Sequence, residues 1–362
     1  MRIGIVGKRG AAFIPGLRSC GGVTIAAVCE RDPVAGARIG QRFGIDGPCL
    51  TEFESFLGLG LDAVVVGTPM QDHATQAISA LDRGVHVLSE VTAATSIEEC
   101  RALVAAARRS SATYMMSENY CFSRTAQLVE RLARRGMFGE VTFVEGAYIH
   151  DCHLVQYGED GTPTWRTVWQ VGHRGITYGT HSVGPALTWM DDRVATVSCL
   201  GSGVHSDPRH VQDDVTAMLG QTARGRLIEI RLDMQSARPH NMADFALQGT
   251  RGAFLNPRRS GEEPLVWLMD RSPRRDEWEP LEAYAAEFLP EEWRRFGGEA
   301  ISSGHGGADY FAARAFVRAA RGEIANPIDI DRAMDFTLPG LTSEESIFRG
   351  GAPVAVPDSR RW

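Results

Sequence analysis

Polar side chains able to do chemistry concentrate in four short stretches of this 362-residue sequence. They are Ser117-Glu118-Asn119-Tyr120, Tyr148-Ile149-His150-Asp151-Cys152-His153, Tyr178-Gly179-Thr180-His181 and Gly304-His305-Gly306-Gly307-Ala308-Asp309. Histidine titrates close to neutrality and is the natural general base. Tyrosine, with an unperturbed pKa of about 10, needs a nearby positive charge or strong hydrogen bonds to act. Tyr178 and His181 are three apart, so a helical turn would place them on one face. Lys8 is the only lysine in the chain, which excludes a catalytic lysine deep in the sequence. Proton transfer then falls to His181 or Tyr148. A metal set of His150, Asp151 and His153 with His173 or His181 has ligand chemistry but no recognised metal-site spacing. Strand alternation through 150–153 would also split it between two faces, and no metal is expected. His86, His205, His210 and His240 read as surface or core histidines.

Those stretches need elements to hold them. Short, nearly all-apolar runs at Arg2–Gly7, Thr24–Cys29, Ala63–Gly67, Val85–Ser89 and Thr113–Ser117 alternate with helical stretches. That is the pattern of a doubly wound parallel sheet with helices on both faces. Asp32-Pro33 and the capping box Ser96-Ile97-Glu98-Glu99 mark helix starts. Gly7-Lys8-Arg9-Gly10-Ala11-Ala12 follows the first strand, where a dinucleotide fold brings backbone amides to a pyrophosphate. The G-x-G-x-x-G pattern is incomplete, with Arg9 at its middle glycine and Ala12 at its third. Glu30 lies about 20 residues on, the spacing of the acid that binds the adenosine ribose hydroxyls. It favours NAD over NADP, although Arg31 could accommodate a 2′-phosphate. Glu118 and Tyr120 follow the last parallel strand, at the edge where such sheets bind ligands.

The run Asp62-Ala63-Val64-Val65-Val66-Gly67-Thr68-Pro69, then Asp72-His73, then Gly84-Val85-His86-Val87-Leu88-Ser89-Glu90, resembles the Gfo/Idh/MocA family of sugar-acting oxidoreductases. The resemblance covers residues 1–120 and extends more loosely to about 340. It implies a Rossmann domain with the Thr68-Pro69 turn against the dinucleotide and Glu90 at the nicotinamide ribose. The family's Glu-Lys-Pro motif is Glu90-Val91-Thr92 here, without its lysine. Its Asp-x-Gly-x-His motif is Thr177-Tyr178-Gly179-Thr180-His181. Tyr178-x-x-His181-Ser182-x-Gly184-Pro185 instead resembles a branch containing NAD-dependent glycosidases, including the α-N-acetylgalactosaminidases. That branch also carries a glutamate after the last nucleotide-domain strand and a Gly-His-Gly-Gly segment.

Loop and resemblance together assign the cofactor to Gly7, Arg9, Gly10, Glu30, Thr68, Pro69, His73, Glu90 and Asn119. The expected catalytic residues are His181, Tyr178, Tyr148 and Glu118. Tyr120, His150, Trp165 and His305 are expected at the sugar, Trp165 as a stacking platform unless it serves packing alone. The expected activity is NAD-dependent hydride transfer at a sugar or glycoside CH–OH group. An alternative is redox-neutral glycoside cleavage through oxidation, elimination, water addition and re-reduction, an exception to paired-carboxylate hydrolysis. A third reading is a nucleotide-binding protein without turnover.

The remainder predicts an α+β domain on an open, largely antiparallel sheet. Residues 1–122 form the expected NAD(P)-binding domain, 123–340 the substrate domain, and 341–362 a tail, poorly ordered after Gly350. Thirty-eight basic against 45 acidic residues give a net charge of −7 and a pI near 5.8. Without a basic stripe, nucleic acid is not an expected partner. No apolar run reaches the roughly 18 residues of a membrane span. Met1-Arg2 leads directly into a strand rather than a signal peptide, and seven scattered cysteines suit a reducing compartment, so a cytoplasmic location is expected. The open sheet should pair with another copy, giving a homodimer or homotetramer.

Overall fold

A computed structural model describes residues 1–362, apart from the side chain of Leu154. Two compact units divide the chain: residues 1–122 with 295–334 and 359–362, and residues 123–294 with 335–358. The expected segments 1–122, 123–340 and 341–362 are each continuous, whereas both units assemble from separate stretches.

The first unit holds β1 (Arg2–Val6), β2 (Thr24–Cys29), β3 (Cys49–Leu50), β4 (Ala63–Val66), β5 (His86–Ser89) and β6 (Tyr114–Met116). All pair in parallel, in the order β3-β2-β1-β4-β5-β6. Every residue of β4 is buried, as a strand covered on both faces requires. Only β3 escapes the sequence reading, because two residues carry no periodicity. The order reverses between β1 and β4, and a doubly wound sheet binds its ligand at that switch point. Asp32 caps helix Pro33–Phe43 by accepting from Val34 N–H at 2.8 Å. Ser96 accepts from Glu99 N–H at 3.1 Å and opens helix Ile97–Arg109. Glu99 reaches back one residue further than a standard capping box, to Thr95 N–H at 2.8 Å. The late helix Ala308–Ala320 packs against Ile14–Arg18 at Gly16, where a Cβ would lie 2.3 Å from Tyr310 O.

The second unit is built on nine strands. These are β7 (Val141–Ile149), β8 (Val194–Gly201), β9 (Val215–Thr222), β10 (Leu227–Asp233), β11 (Asn241–Gly249), β12 (Gly252–Leu255), β13 (Leu265–Leu268), β14 (Glu279–Pro280) and β15 (Val354–Ala355). Their order is β14-β13-β12-β11-β7-β10-β9-β8-β15. β7 and β10 run parallel and the other neighbours antiparallel. β15 corrects the expectation of a poorly ordered end: it pairs with β8. Beyond it, Arg108 donates to Ser359 O at 2.9 Å and Arg101 lies 4.4 Å over the Trp362 ring.

Helix Thr180–Met190 covers one face of this sheet. Gly146 of β7 permits its approach, since a Cβ there would meet Ser182 Cβ at 3.2 Å. Trp189 wedges edge-on against Phe245 and Phe254 at 5.2 and 5.7 Å, and donates its indole N–H to Ala126 O at 3.1 Å. Full burial of such a ring is worth about 2–3 kcal/mol. Along β9, Thr216, Met218, Gly220 and Thr222 face that helix side, while Ala217, Leu219 and Gln221 are exposed. β7 ends at Ile149, so residues 150–153 lie beyond the strand. His153–Gln156 is instead a single helical turn.

Candidate active site

In the first unit, three glycines make the crossing of the β1 and β4 ends. Gly7 has φ +76°, and a Cβ on it would lie 2.4 Å from Gly67 O. A Cβ on Gly67 would lie 2.1 Å from Gly10 N. Only glycine fits at these points, and the cradle suits a pyrophosphate brought close to backbone amides.

Arg9 occupies the missing-glycine position and turns sideways into a charged cluster. Its guanidinium is 2.8 Å from Glu90 Oε1 and donates to Asp309 at 2.8 and 2.9 Å. Asn119 donates to Asp309 Oδ1 at 2.8 Å, and His305 Nδ1 lies 3.1 Å from Asp309 Oδ2. The Tyr120 and His305 rings sit 6.3 Å apart. The structure thus puts Tyr120 and His305, expected at the sugar, beside Arg9 and Asn119, expected at the cofactor. Asp309, the last residue of the polar stretch 304–309, is the carboxylate that Arg9, Asn119 and His305 all meet. Its signal was an acid in the first helical turn after a glycine pair.

The remaining cofactor candidates line the same strand ends. Glu30 follows β2 and accepts Asp32 N–H at 3.2 Å. Arg31 is held by Asp72 at 3.1 Å, turned to a carboxylate of its own chain. Thr68 Oγ1 donates to Gln76 at 2.8 Å. His73 is buried, with its ring nitrogens 2.9 Å from Thr68 O and 2.8 Å from Thr92 O. It therefore ties the Thr68-Pro69 turn to the segment following β5, where the Val91–Thr92 peptide is cis. Glu118 is fully buried and its Oε1 accepts Tyr120 N–H at 3.2 Å. Asn119 Oδ1 is a buried acceptor with no partner among the described residues. An orphaned acceptor of this kind costs about 1–3 kcal/mol unless a ligand or water pairs it, and with the glycine cradle it fits a dinucleotide.

The second unit gathers an aromatic and imidazole cluster. Tyr148, at the end of β7, stacks on His181 at 5.2 Å, with Tyr178 edge-on at 5.8 Å from Tyr148 and 5.5 Å from His181. Tyr178 precedes the helix rather than lying within it, yet the two rings meet as the spacing predicts. Thr177, Thr180 and Ser182 add buried hydroxyls without partners among the described residues. Tyr148 Oη and His150 Nδ1 are 3.0 Å apart, and His150 packs edge-on to His240 at 4.7 Å. His240 is exposed, a surface histidine that borders this cluster through that contact. Burial, with His240 and the Arg166 guanidinium nearby, pushes the His150 imidazole down to about 4.

Trp165 lies half-buried under the Arg166 guanidinium, which sits 4.5 Å above its ring. One indole face is therefore covered by a cation of the chain itself. Arg166 also donates to Gln170 at 3.0 Å; nothing in its sequence spacing singled it out. Asp151 pairs with His153 at 2.6 Å. Among the described residues, no group of three His, Cys, Asp or Glu side chains is arranged to hold a metal ion.

The six-strand sheet and its glycine cradle define an NAD-binding oxidoreductase domain, and residues 1–118 match the Oxidoreductase family, NAD-binding Rossmann fold. Residues 122–206 and 201–362 match the Glycosyl hydrolase 109, C-terminal domain. The chain belongs to glycosyl hydrolase family 109. A family 109 protein of Saccharopolyspora erythraea is 30% identical over all of this chain and 83% of its own length. Another, from Solibacter usitatus, is 28% identical over all of this chain and 88% of its own. Among solved structures, levoglucosan dehydrogenase in complex with NADH and L-sorbose superposes with a TM-score of 0.82 at 19% identity, over 99% of both chains. An NAD-binding oxidoreductase from Klebsiella pneumoniae gives 0.81 at 18%, also over 99% of both. At these identities the likeness is one of fold.

Proposed function

We propose that this enzyme cleaves a glycoside by a redox-neutral route, using NAD without net consumption. The observation that carries this reading is the Tyr148–Tyr178–His181 cluster, three rings within 5.2–5.8 Å of one another. The route needs two proton-transfer groups, and the single lysine lies in the glycine loop.

The bound nicotinamide supplies a hydride acceptor and donor. Gly7, Gly10 and Gly67 would let the pyrophosphate approach the backbone, with Glu30 at the adenosine ribose, and Glu90 and Asn119 toward the nicotinamide end. His181 takes the proton of the sugar C3 hydroxyl as the carbinol carbon is oxidised. A C3 carbonyl acidifies the C2 proton by delocalising the resulting carbanion. Tyr148 or Tyr178 removes that proton, and the C1 substituent leaves with its bonding electrons. Water then adds at C1, a proton returns to C2, and C3 is reduced again. Glu118, buried at the end of the parallel sheet, is assigned to the catalytic set. The match of residues 1–118 to the Oxidoreductase family, NAD-binding Rossmann fold, favours a second reading, simple oxidation of a sugar hydroxyl.

Incubation with NAD and a panel of aryl glycosides in deuterated water separates the two. Aglycone release with deuterium at C2 and no net NADH is expected. Stoichiometric NADH without aglycone release would overturn cleavage in favour of simple oxidation. If NAD neither binds nor changes redox state with any glycoside, both readings fail in favour of a protein without turnover.

We also propose self-association through the sheet face opposite helix Thr180–Met190. Leu219 there is 53% exposed and Leu227 45%; pairing two such faces removes this apolar surface from water. Light scattering at micromolar concentration should give a dimer or tetramer, and a monodisperse monomer would overturn it. No helix among the described residues is long and apolar enough to cross a membrane. The cytoplasmic assignment is supported by seven cysteines that remain free thiols.

A further inference from the structure

His305, Gly306 and Gly307 have left-handed backbones in succession, with φ of 51°, 61° and 98°. Glycine adopts this region freely, but histidine does so only where its surroundings hold it there. The winding delivers the chain into helix Ala308–Ala320, with Asp309 in its first turn. Gly304 must lack a side chain, because a Cβ would lie 2.0 Å from Asp309 Oδ2.

Asp309 is completely buried. Its two oxygens receive Arg9 Nη1 at 2.8 Å, Arg9 Nη2 at 2.9 Å and Asn119 Nδ2 at 2.8 Å. His305 Nδ1 completes the set at 3.1 Å and lies 3.3 Å from Arg9 Nη2. Burial opposes a charged carboxyl, yet the hydrogen bonds from His305 and Arg9 and the guanidinium charge outweigh it. They hold Asp309 well below the usual carboxylate range. Arg9 is braced on its other side by Glu90 and rests over the Phe13 ring at 5.0 Å.

We infer that Asp309, steered by His305, is a positioning residue for the cofactor: it holds the Arg9 side chain out of the dinucleotide cradle and locks the glycine loop to the ends of β5 and β6. A glycine at the middle of this loop normally leaves room for phosphate. An arginine there preserves the room only if its guanidinium is anchored elsewhere, and a carboxylate 300 residues away supplies the anchor. Glu90 is linked through Arg9, and Asn119 through Asp309 itself. The inference rests on the class of cofactor and is independent of which sugar is used.

The test is NADH binding, followed by nicotinamide fluorescence, in a double-mutant cycle of Asp309→Asn and Arg9→Gly, with thermal unfolding measured alongside. In the otherwise native chain, Asp309→Asn should weaken NADH at least tenfold, because the loosened guanidinium competes for the cradle. In the Arg9→Gly background the same change should weaken it by less than twofold. Equal weakening in both backgrounds would show a general structural role and overturn the inference. So would unchanged affinity in the single variant. If Asp309→Asn does not fold, His305→Ala takes its place in the same cycle. Its ring is partly exposed, with a side-chain exposure of 43%. It should weaken NADH about threefold with Arg9 present and not without it, and an effect independent of Arg9 would again overturn the inference.

Discussion

Tyr148 Oη lies 3.0 Å from His150 Nδ1, two residues along the chain, while the Tyr148 ring stacks on His181. Because His150 is held neutral down to about pH 4, its ring nitrogen can accept a hydrogen bond from the phenol, though it is too weak a base to take the proton itself. Tyr148 then has a partner that fixes its hydroxyl, which a lone tyrosine lacks.

His181→Ala and Tyr148→Phe should each lower kcat by roughly 10²–10⁴-fold, the range of a lost general acid or base. NADH affinity should stay within twofold, because both side chains are assigned to the substrate. Steady-state kinetics beside NADH titration checks this. Turnover retained in His181→Ala would move the base to Tyr148.

Two histidines should make stability depend on pH with opposite signs. His150 has a folded pKa below its unfolded value of about 6.5, so the unfolded chain binds the proton first as pH falls. Stability should drop between about pH 6.5 and 4, and His150→Gln should flatten that slope. His173 is raised by its hydrogen bond to Glu344, against opposing burial. Its contribution is complete below about 6.5 and lost as pH rises through its higher folded pKa. Glu344→Gln should remove the alkaline loss. Urea unfolding from pH 4 to 9 measures both.

Cofactor choice should turn on Arg31. Asp72 holds its guanidinium, and Glu30 would repel a 2′-phosphate at the ribose. Asp72→Asn combined with Glu30→Ser should raise NADP affinity at least fivefold relative to NAD. Competitive NADPH and NADH titrations would read the ratio, and an unchanged ratio would place the discriminating residues elsewhere.

Gly7→Ala should destabilise by about 2–4 kcal/mol, since it combines a left-handed backbone with a clash. That corresponds to a fall in Tm of roughly 5–10 °C. Gly21→Ala, with nothing near its Cβ and no left-handed backbone, is the control and should shift Tm by less than about 2 °C.

What the amino-acid order determined by itself is what short-range physics encodes. β-branched runs specified β1, β2, β4, β5 and β6. Asp32-Pro33 and Ser96 specified helix starts, and the loop glycines with Glu30 specified a nucleotide site, since each signal sits within a few residues of what it shapes. The pairing of Tyr178 with His181 was legible for the same reason, being a single turn. Four short strands were not: β3, β12, β14 and β15 exist because a neighbouring strand offers hydrogen bonds, and their own residues form no apolar run or period that marks them. The joining of Arg9 to Asp309 across 300 residues was equally invisible. So were the covering of Trp165 by Arg166 and the packing of His240 on His150. Their geometry comes from where loops land once the sheets have formed, and only the tertiary structure decides which charge each carboxylate and imidazole will meet.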